Sequence, residues 1–119
     1  IAGRDAAWHA MAISKVRAHQ ALQADKPREA VKYFREFMAT ISTSPDEATS
    51  DPATGLMHSR AMILGRNAKR IGDVLAKIPD AEAARKAYAE ARDFYQKALA
   101  DEKDPEVVKL INAELAEVP

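Results

Sequence analysis

The 119 residues carry eighteen basic and eighteen acidic side chains, so the net charge is zero, and 47% are hydrophobic, 30% charged and only 6% aromatic. That length fits one domain able to bury about two-thirds of its unfolded surface. The composition excludes a disordered chain, and the balanced charge argues against a nucleic-acid partner, which calls for a basic excess. There is no cysteine, which removes disulfides, thiolate metal sites, covalent c-type haem and Cys nucleophiles together. No apolar run approaches the ~18 residues of a membrane span. The chain begins at Ile1 and not at Met, which points to a missing signal or neighbouring domain and leaves the compartment unassigned.

The first helix is expected from about Asp5, a plausible N-cap, to Ala24. Trp8, Met11, Ala12, Val16 and Leu22 lie on one broad arc, and Lys15 and His19 project from it. Asp25-Lys26-Pro27 ends this helix and starts a second, since proline is tolerated in a first turn. The second helix, about Pro27 to Ser42, has a core stripe of Ala30, Val31, Phe34, Phe37, Met38 and Ile41, with Lys32, Arg35 and Glu36 outside.

From Ser42 to Thr54 the composition turns to Ser, Thr, Asp and Pro, marking the longest loop. Ser44-Pro45-Asp46-Glu47 reads as a capping box, and Asp51-Pro52 reads as the start of a third helix running to Ile78. Asp46, Glu47 and Asp51 lack the alternating ligands and central glycine of a calcium loop. The third helix presents Leu56, Ile63, Leu64, Ile71, Val74, Leu75 and Ile78 on one face, with Arg60 and Asn67 at its centre. Those two polar residues either contact the loop or the neighbouring hairpin, or mark a face that stays partly open. Ala61, Gly65, Ala68 and Gly72 run along its flank. A mid-helix glycine costs about 1 kcal/mol relative to alanine, so the pair implies close approach of another helix backbone. Ile78-Pro79-Asp80 breaks the pattern, and Ala84, Tyr88, Ala91, Tyr95 and Ala98 then line one side of a fourth helix to Asp101. Glu82 with Lys86, and Asp93 with Lys97, have the spacing of helical ion pairs. Asp104-Pro105-Glu106 opens a short fifth helix with Val107, Val108, Ile111, Leu115 and Val118 inward.

The expected architecture is all-α and a single domain: hairpin 5–42, loop 42–54, hairpin 54–101 and capping helix 104–118. Ala30, Phe34, Phe37 and Ile41 align with Ala84, Tyr88, Ala91 and Tyr95 at an offset of 54 residues. Small and aromatic residues at these spacings resemble the second helix of a tetratricopeptide repeat. Ile71-Gly72 stands where that family has a Leu-Gly pair, with Leu75 in place of its tyrosine. Ala68 stands where the family prefers a large aromatic, Arg17 and Ala18 replace the Leu-Gly pair in the first hairpin, and 54 exceeds the family's 34-residue period. The resemblance implies a short α-α superhelix that binds a protein or peptide in a groove lined by first helices. It implies that Lys15 and His19 face the groove from the first helix and Lys69 and Asp73 from the third, with Arg66 nearby. Two equivalent cations, Lys15 and Lys69, would suit an acidic segment or a C-terminal carboxylate. The plainer reading of Lys15 is a stem that snorkels past the core to water. A two-unit array also implies self-association or a missing flanking domain.

The rival architecture is an up-down-up-down four-helix bundle, whose layout is similar to the cytochrome b562 family. Met11 would supply one haem ligand, but the fourth helix holds no histidine. His58-Ser59-Arg60 on a helix resembles a histidine phosphotransfer site, although Ala61, Met62 and Ile63 follow where that family has a lysine and a glycine. His9 and His19 lack the i, i+4 spacing of a zinc pair. The serines sit in no nucleophile elbow. The sequence therefore reads as a non-catalytic binding module with no cofactor and no metal.

Overall fold

The computed structural model describes residues 2–42, 48–50 and 57–119. The fold is all-α, built from α1 (Ala2–Gln23), α2 (Pro27–Ser42), α3 (Arg60–Lys77), α4 (Ala81–Asp101) and α5 (Pro105–Ala116). A short antiparallel ribbon, β1 (Ala48–Ser50) with β2 (Met57–Ser59), pairs Ala48 with Ser59 and Ser50 with Met57 between α2 and α3.

Each boundary has a local cause. Asp25 adopts a left-handed φ of 59° after α1. Lys26 N–H donates to Ala21 O at 2.8 Å and Asp25 N–H to Leu22 O at 3.1 Å. These two bonds close α1 in a Schellman motif, where Asp replaces the usual glycine. The Asp80 side chain accepts from Ala83 N–H at the start of α4 and that of Asp104 from Glu106 N–H at the start of α5. Although α1 begins at Ala2, so that Asp5 lies inside the helix and does not cap it, these stops and starts agree with the sequence reading. The third helix does not. It begins at Arg60, where the Ser59 hydroxyl accepts from Met62 N–H at 3.2 Å, rather than at Pro52. Residues 57–59 are extended instead, because strand pairing satisfies backbone groups that a further helical turn would otherwise have bonded. His58 therefore lies in a strand and not on a helix. Leu56, the capping box at 44–47 and the acids Asp46, Glu47 and Asp51 lie outside the described residues.

One apolar cluster draws from every helix: Ala18 and Ala21 of α1, Phe34 and Met38 of α2, Met62 and Ile71 of α3, Ala87 and Tyr95 of α4, and Val107 and Ile111 of α5. The stripe on α2 is as expected, with Ala30, Phe34, Phe37, Met38 and Ile41 buried and Val31 packed against them. On α1 the expectation fails. Ala12 and Val16 are exposed, and the residues turned into the core are Ser14, Ala18 and Ala21. Among helices, α1 packs chiefly on α2, and two alanines let the two approach; of the expected arc, Leu22 packs against the core while Ala12 and Val16 point away. The side chains of Trp8 and Met11 are outside the described set.

The glycines of α3 face α4, but what approaches them is aromatic rather than backbone. A Cβ on Gly65 would lie 3.1 Å from the Tyr95 ring, and one on Gly72 would lie 2.6 Å from the Tyr88 ring. Gly65 and Gly72 are two turns apart on α3, as are Tyr95 and Tyr88 on antiparallel α4, so two knobs enter two notches in register. The polar centre of α3 is also settled. Arg60 Nη1 donates to Ser42 O at the end of α2 at 3.3 Å, and buried Asn67 donates to Ile63 O on its own helix at 2.8 Å. Glu82 pairs with Arg85 at 2.8 Å, three residues on, in place of Lys86.

Among the described residues, extensive helix packing joins α1 to α2, α2 to α3, α3 to α4 and α4 to α5. A closed four-helix bundle would also seat α1 broadly on α4, and no comparable contact joins that pair. Side chains instead link α2 to α4: Arg28 reaches Asp80 at 3.3 Å and Arg35 reaches both oxygens of Glu90 at 2.7 Å. Both partners advance in the same direction, so α2 and α4 run parallel, one hairpin beside the next. No described helix is long and apolar enough to cross a membrane.

Candidate functional site

α1 and α3 both pack on α2, and the region between them over α2 is the candidate cleft. Phe34 and Phe37, one turn apart on α2, form the floor between them. Lys15 of α1 sits over the Phe37 ring, its Nζ 5.7 Å from the centroid. His19, one turn further along α1, meets Phe34 edge-on at 5.8 Å. From α3, the Arg70 guanidinium lies 5.7 Å from the centroid of the same Phe34 ring. An ammonium, an imidazole and a guanidinium thus stand over two aromatic rings, contacts that favour cations through the ring quadrupole.

These groups feel one another. Partial burial, then repulsion from Arg70 and Arg66, holds the Lys15 ammonium below its ordinary pKa. Partial burial, then Arg70 and Lys15, lowers His19 in the same way. Among the described residues no carboxylate lies within ion-pair distance of Lys15 or Arg70.

The other three residues taken from the sequence are placed differently. Arg66 donates from Nε and Nη2 to the two oxygens of Glu114 on α5, at 2.6 and 2.7 Å. Tyr95 Oη donates to the same carboxylate at 3.1 Å. The three side chains tie α3, α4 and α5 together, so Arg66 already has its anion and acts on the cleft through its field. Lys69 and Asp73 pair at 3.1 Å, and Tyr88 Oη donates to Asp73 at 2.6 Å. Those two therefore neutralise each other on the α4 side of the cleft. Of the five, Lys15 and His19 come together on the aromatic floor; Lys69 and Asp73 form a separate pair.

Arg70 escaped the sequence reading, although its spacing from Arg66 and Asp73 puts all three on one side of α3. The 54-residue alignment hid it, because its equivalent on α1 is the apolar Val16. Phe34 and Phe37 were visible as core, and their role as floor follows only from the hairpin packing. Elsewhere, a cleft of about 570 Å³ opens between the α3–α4 turn and the C-terminal tail, lined by Ile78, Pro79, Ala84, Tyr88 and Arg92 among others. None of Lys15, His19, Arg66, Lys69 and Asp73 lines it. No group of three or more His, Asp or Glu side chains among the described residues is arranged to hold a metal ion. Comparison with protein families, curated proteins and solved structures finds no match to this chain.

Proposed function

We propose that this protein is a non-catalytic module that binds an acidic peptide, or the C-terminal carboxylate of a protein partner, in the cleft between α1 and α3. The observation that carries this reading is the pair Lys15 and Arg70, two cations from different helices above Phe34 and Phe37, with no carboxylate at ion-pair distance among the described residues. A peptide carboxylate between them relieves their repulsion, while the buried rings of Phe34 and Phe37 hold the two cations in place. The tetratricopeptide-like superhelix belongs to the same proposal. It is supported by α2 and α4 running parallel with matching sequences 54 residues apart.

The test is titration with a fluorescent peptide that ends in acidic residues and a free carboxylate, beside its amidated and lysine-substituted forms. Charge-assisted hydrogen bonds are worth about twice neutral ones, so Lys15→Ala and Arg70→Ala should each weaken binding about tenfold. Lys69→Ala should matter less, since Asp73 already holds that ammonium. Equal affinity of wild type and both cleft variants overturns the reading. So does a sharp Soret shift on adding haem.

A further inference from the structure

Ile13 and Val16 are the exposed large hydrophobic residues of the described structure, at 50% and 54% accessibility. They lie on the side of α1 opposite the Ser14, Ala18 and Ala21 face that packs on α2, and exposed His9, Ala12 and Gln20 extend the strip at helical spacing. The internal alignment says what this side is for. Fifty-four residues on, His9, Ile13, Val16 and Gln20 correspond to Ile63, Asn67, Arg70 and Val74 of α3. There Asn67 and Val74 are buried, Ile63 is packed against the core, and Arg70 sits on Phe34 of the preceding helix. On α3 this side is partly covered by α2, with Arg70 still exposed. On α1 it is bare.

The charge around the strip selects the cover. From Ala6 to Ala24 there is no Asp or Glu, while Lys15, Arg17, His9 and His19 all fall in that stretch. Lys15 and Arg17 lean over rings of α2, Phe37 and Tyr33, one on each flank. A second copy presenting its own α1 would set these cations against themselves, and like charges at an interface are strongly disfavoured. We infer that the outer face of α1 docks an acidic amphipathic helix of a partner protein, its apolar stripe on Ile13 and Val16 and its carboxylates toward Lys15 and Arg17. The helix-in-groove mode has this form, with apolar anchors recurring at i, i+3, i+4 and i+7.

This surface shares Lys15 with the cleft but not Ile13 or Val16, and the experiment uses those two residues to keep the sites apart. The probe is a synthetic helical peptide with leucines at those spacings and glutamates on both flanks; its control carries lysines in their place. Calorimetry is combined with amide chemical shifts of α1. The glutamate peptide should bind at least about tenfold more tightly than the lysine peptide, with shifts centred on Ala12–Gln20. Ile13→Gln with Val16→Gln should weaken it about tenfold or more, as removal of apolar anchors does, while leaving acidic-terminus binding in the cleft unchanged. Both sites are exposed, so that variant should keep its helical circular dichroism; Ile13→Leu with Val16→Leu should retain binding. Equal affinity for the two helical peptides, no effect of the glutamine variant, or no binding of the glutamate peptide overturns the inference. So does a dimer in sedimentation that the glutamine variant dissolves, which would make a second copy the occupant.

Discussion

The Tyr88 ring occupies the space that a side chain on Gly72 would need: an added Cβ would fall 2.6 Å from its Cδ1 and Cε1. The ring has little freedom to yield, because its hydroxyl donates to Asp73 at 2.6 Å. In an exposed helix, Gly→Ala gains about 1 kcal/mol. Here overpacking, typically about 1–3 kcal/mol, opposes that gain. Gly72→Ala should therefore destabilise the fold by up to about 2 kcal/mol in urea denaturation. Gly65→Ala, whose Cβ would be 3.1 Å from the Tyr95 ring, should cost less. Combining Gly72→Ala with Tyr88→Leu should recover part of the loss, as expected for two residues in contact. Additive effects would show that the notch and the ring are not coupled.

Glu114 is the one carboxylate shared by Arg66 and Tyr95, and through them it fastens α5 to the second hairpin. Glu114→Ala removes the acceptor of the buried Tyr95 phenol and of two Arg66 nitrogens, at a cost of about 1–3 kcal/mol. Hydrogen exchange should show α5 protection falling first, ahead of α3 and α4. Uniform loss across all helices would mean that α5 docking is set by Val107 and Ile111 alone.

Alkaline pH should probe both tyrosines of α4. Burial, then the hydrogen bond to Asp73 and its charge, pushes Tyr88 up to about 12; burial and Glu114 move Tyr95 upward too. In the unfolded chain a tyrosine titrates near 10. The folded state thus holds its protons longer, and its stability is complete below about pH 10 and falls as pH rises toward the folded values. Urea midpoints should drop between pH 10 and 12, less steeply in Tyr88→Phe. A flat profile would contradict this coupling.

His19 gives a second pH handle, with the opposite sign. Its folded pKa lies below the ordinary value, mainly from burial and then Arg70 and Lys15. Its contribution to stability is therefore present above about pH 6.5, the unfolded value, and is lost as pH falls through the folded one. An anion in the cleft reverses the local field and favours the imidazolium. Binding of the acidic peptide should strengthen below about pH 6.5 with proton uptake, seen as a buffer-dependent calorimetric enthalpy. His19→Gln should abolish that uptake.

Most of the helical layout was legible from the sequence, because its signals are local. Pro27, Asp80 and Asp104 mark helix starts through backbone chemistry that acts within a turn, and α2 separates its core stripe from Lys32, Arg35 and Glu36 without ambiguity. The start of α3 was not, since proline after Asp51 and serine before Arg60 are both valid openings. Pairing of residues 48–50 with 57–59 decides between them from a distance. The inward face of α1 was hidden for a related reason. Its apolar residues are spread around the helix, and only the position of α2 selects Ala18 and Ala21 over Val16. At the candidate site, Lys15 and His19 could be named from their helix face. Arg70, its place over Phe34, and the capture of Arg66 by Glu114 depend on contacts between hairpins that periodicity does not encode.

Phe34 is fully buried, yet His19 from one helix and Arg70 from another both rest against its ring. A single benzene ring is therefore the shared contact of α1 and α3. The ring thus fixes the imidazole and the guanidinium relative to one core position, at 5.8 and 5.7 Å from its centroid. Replacing that ring by leucine would remove the common support of both side chains without removing either charge, so their positions would loosen while the electrostatics stay in place.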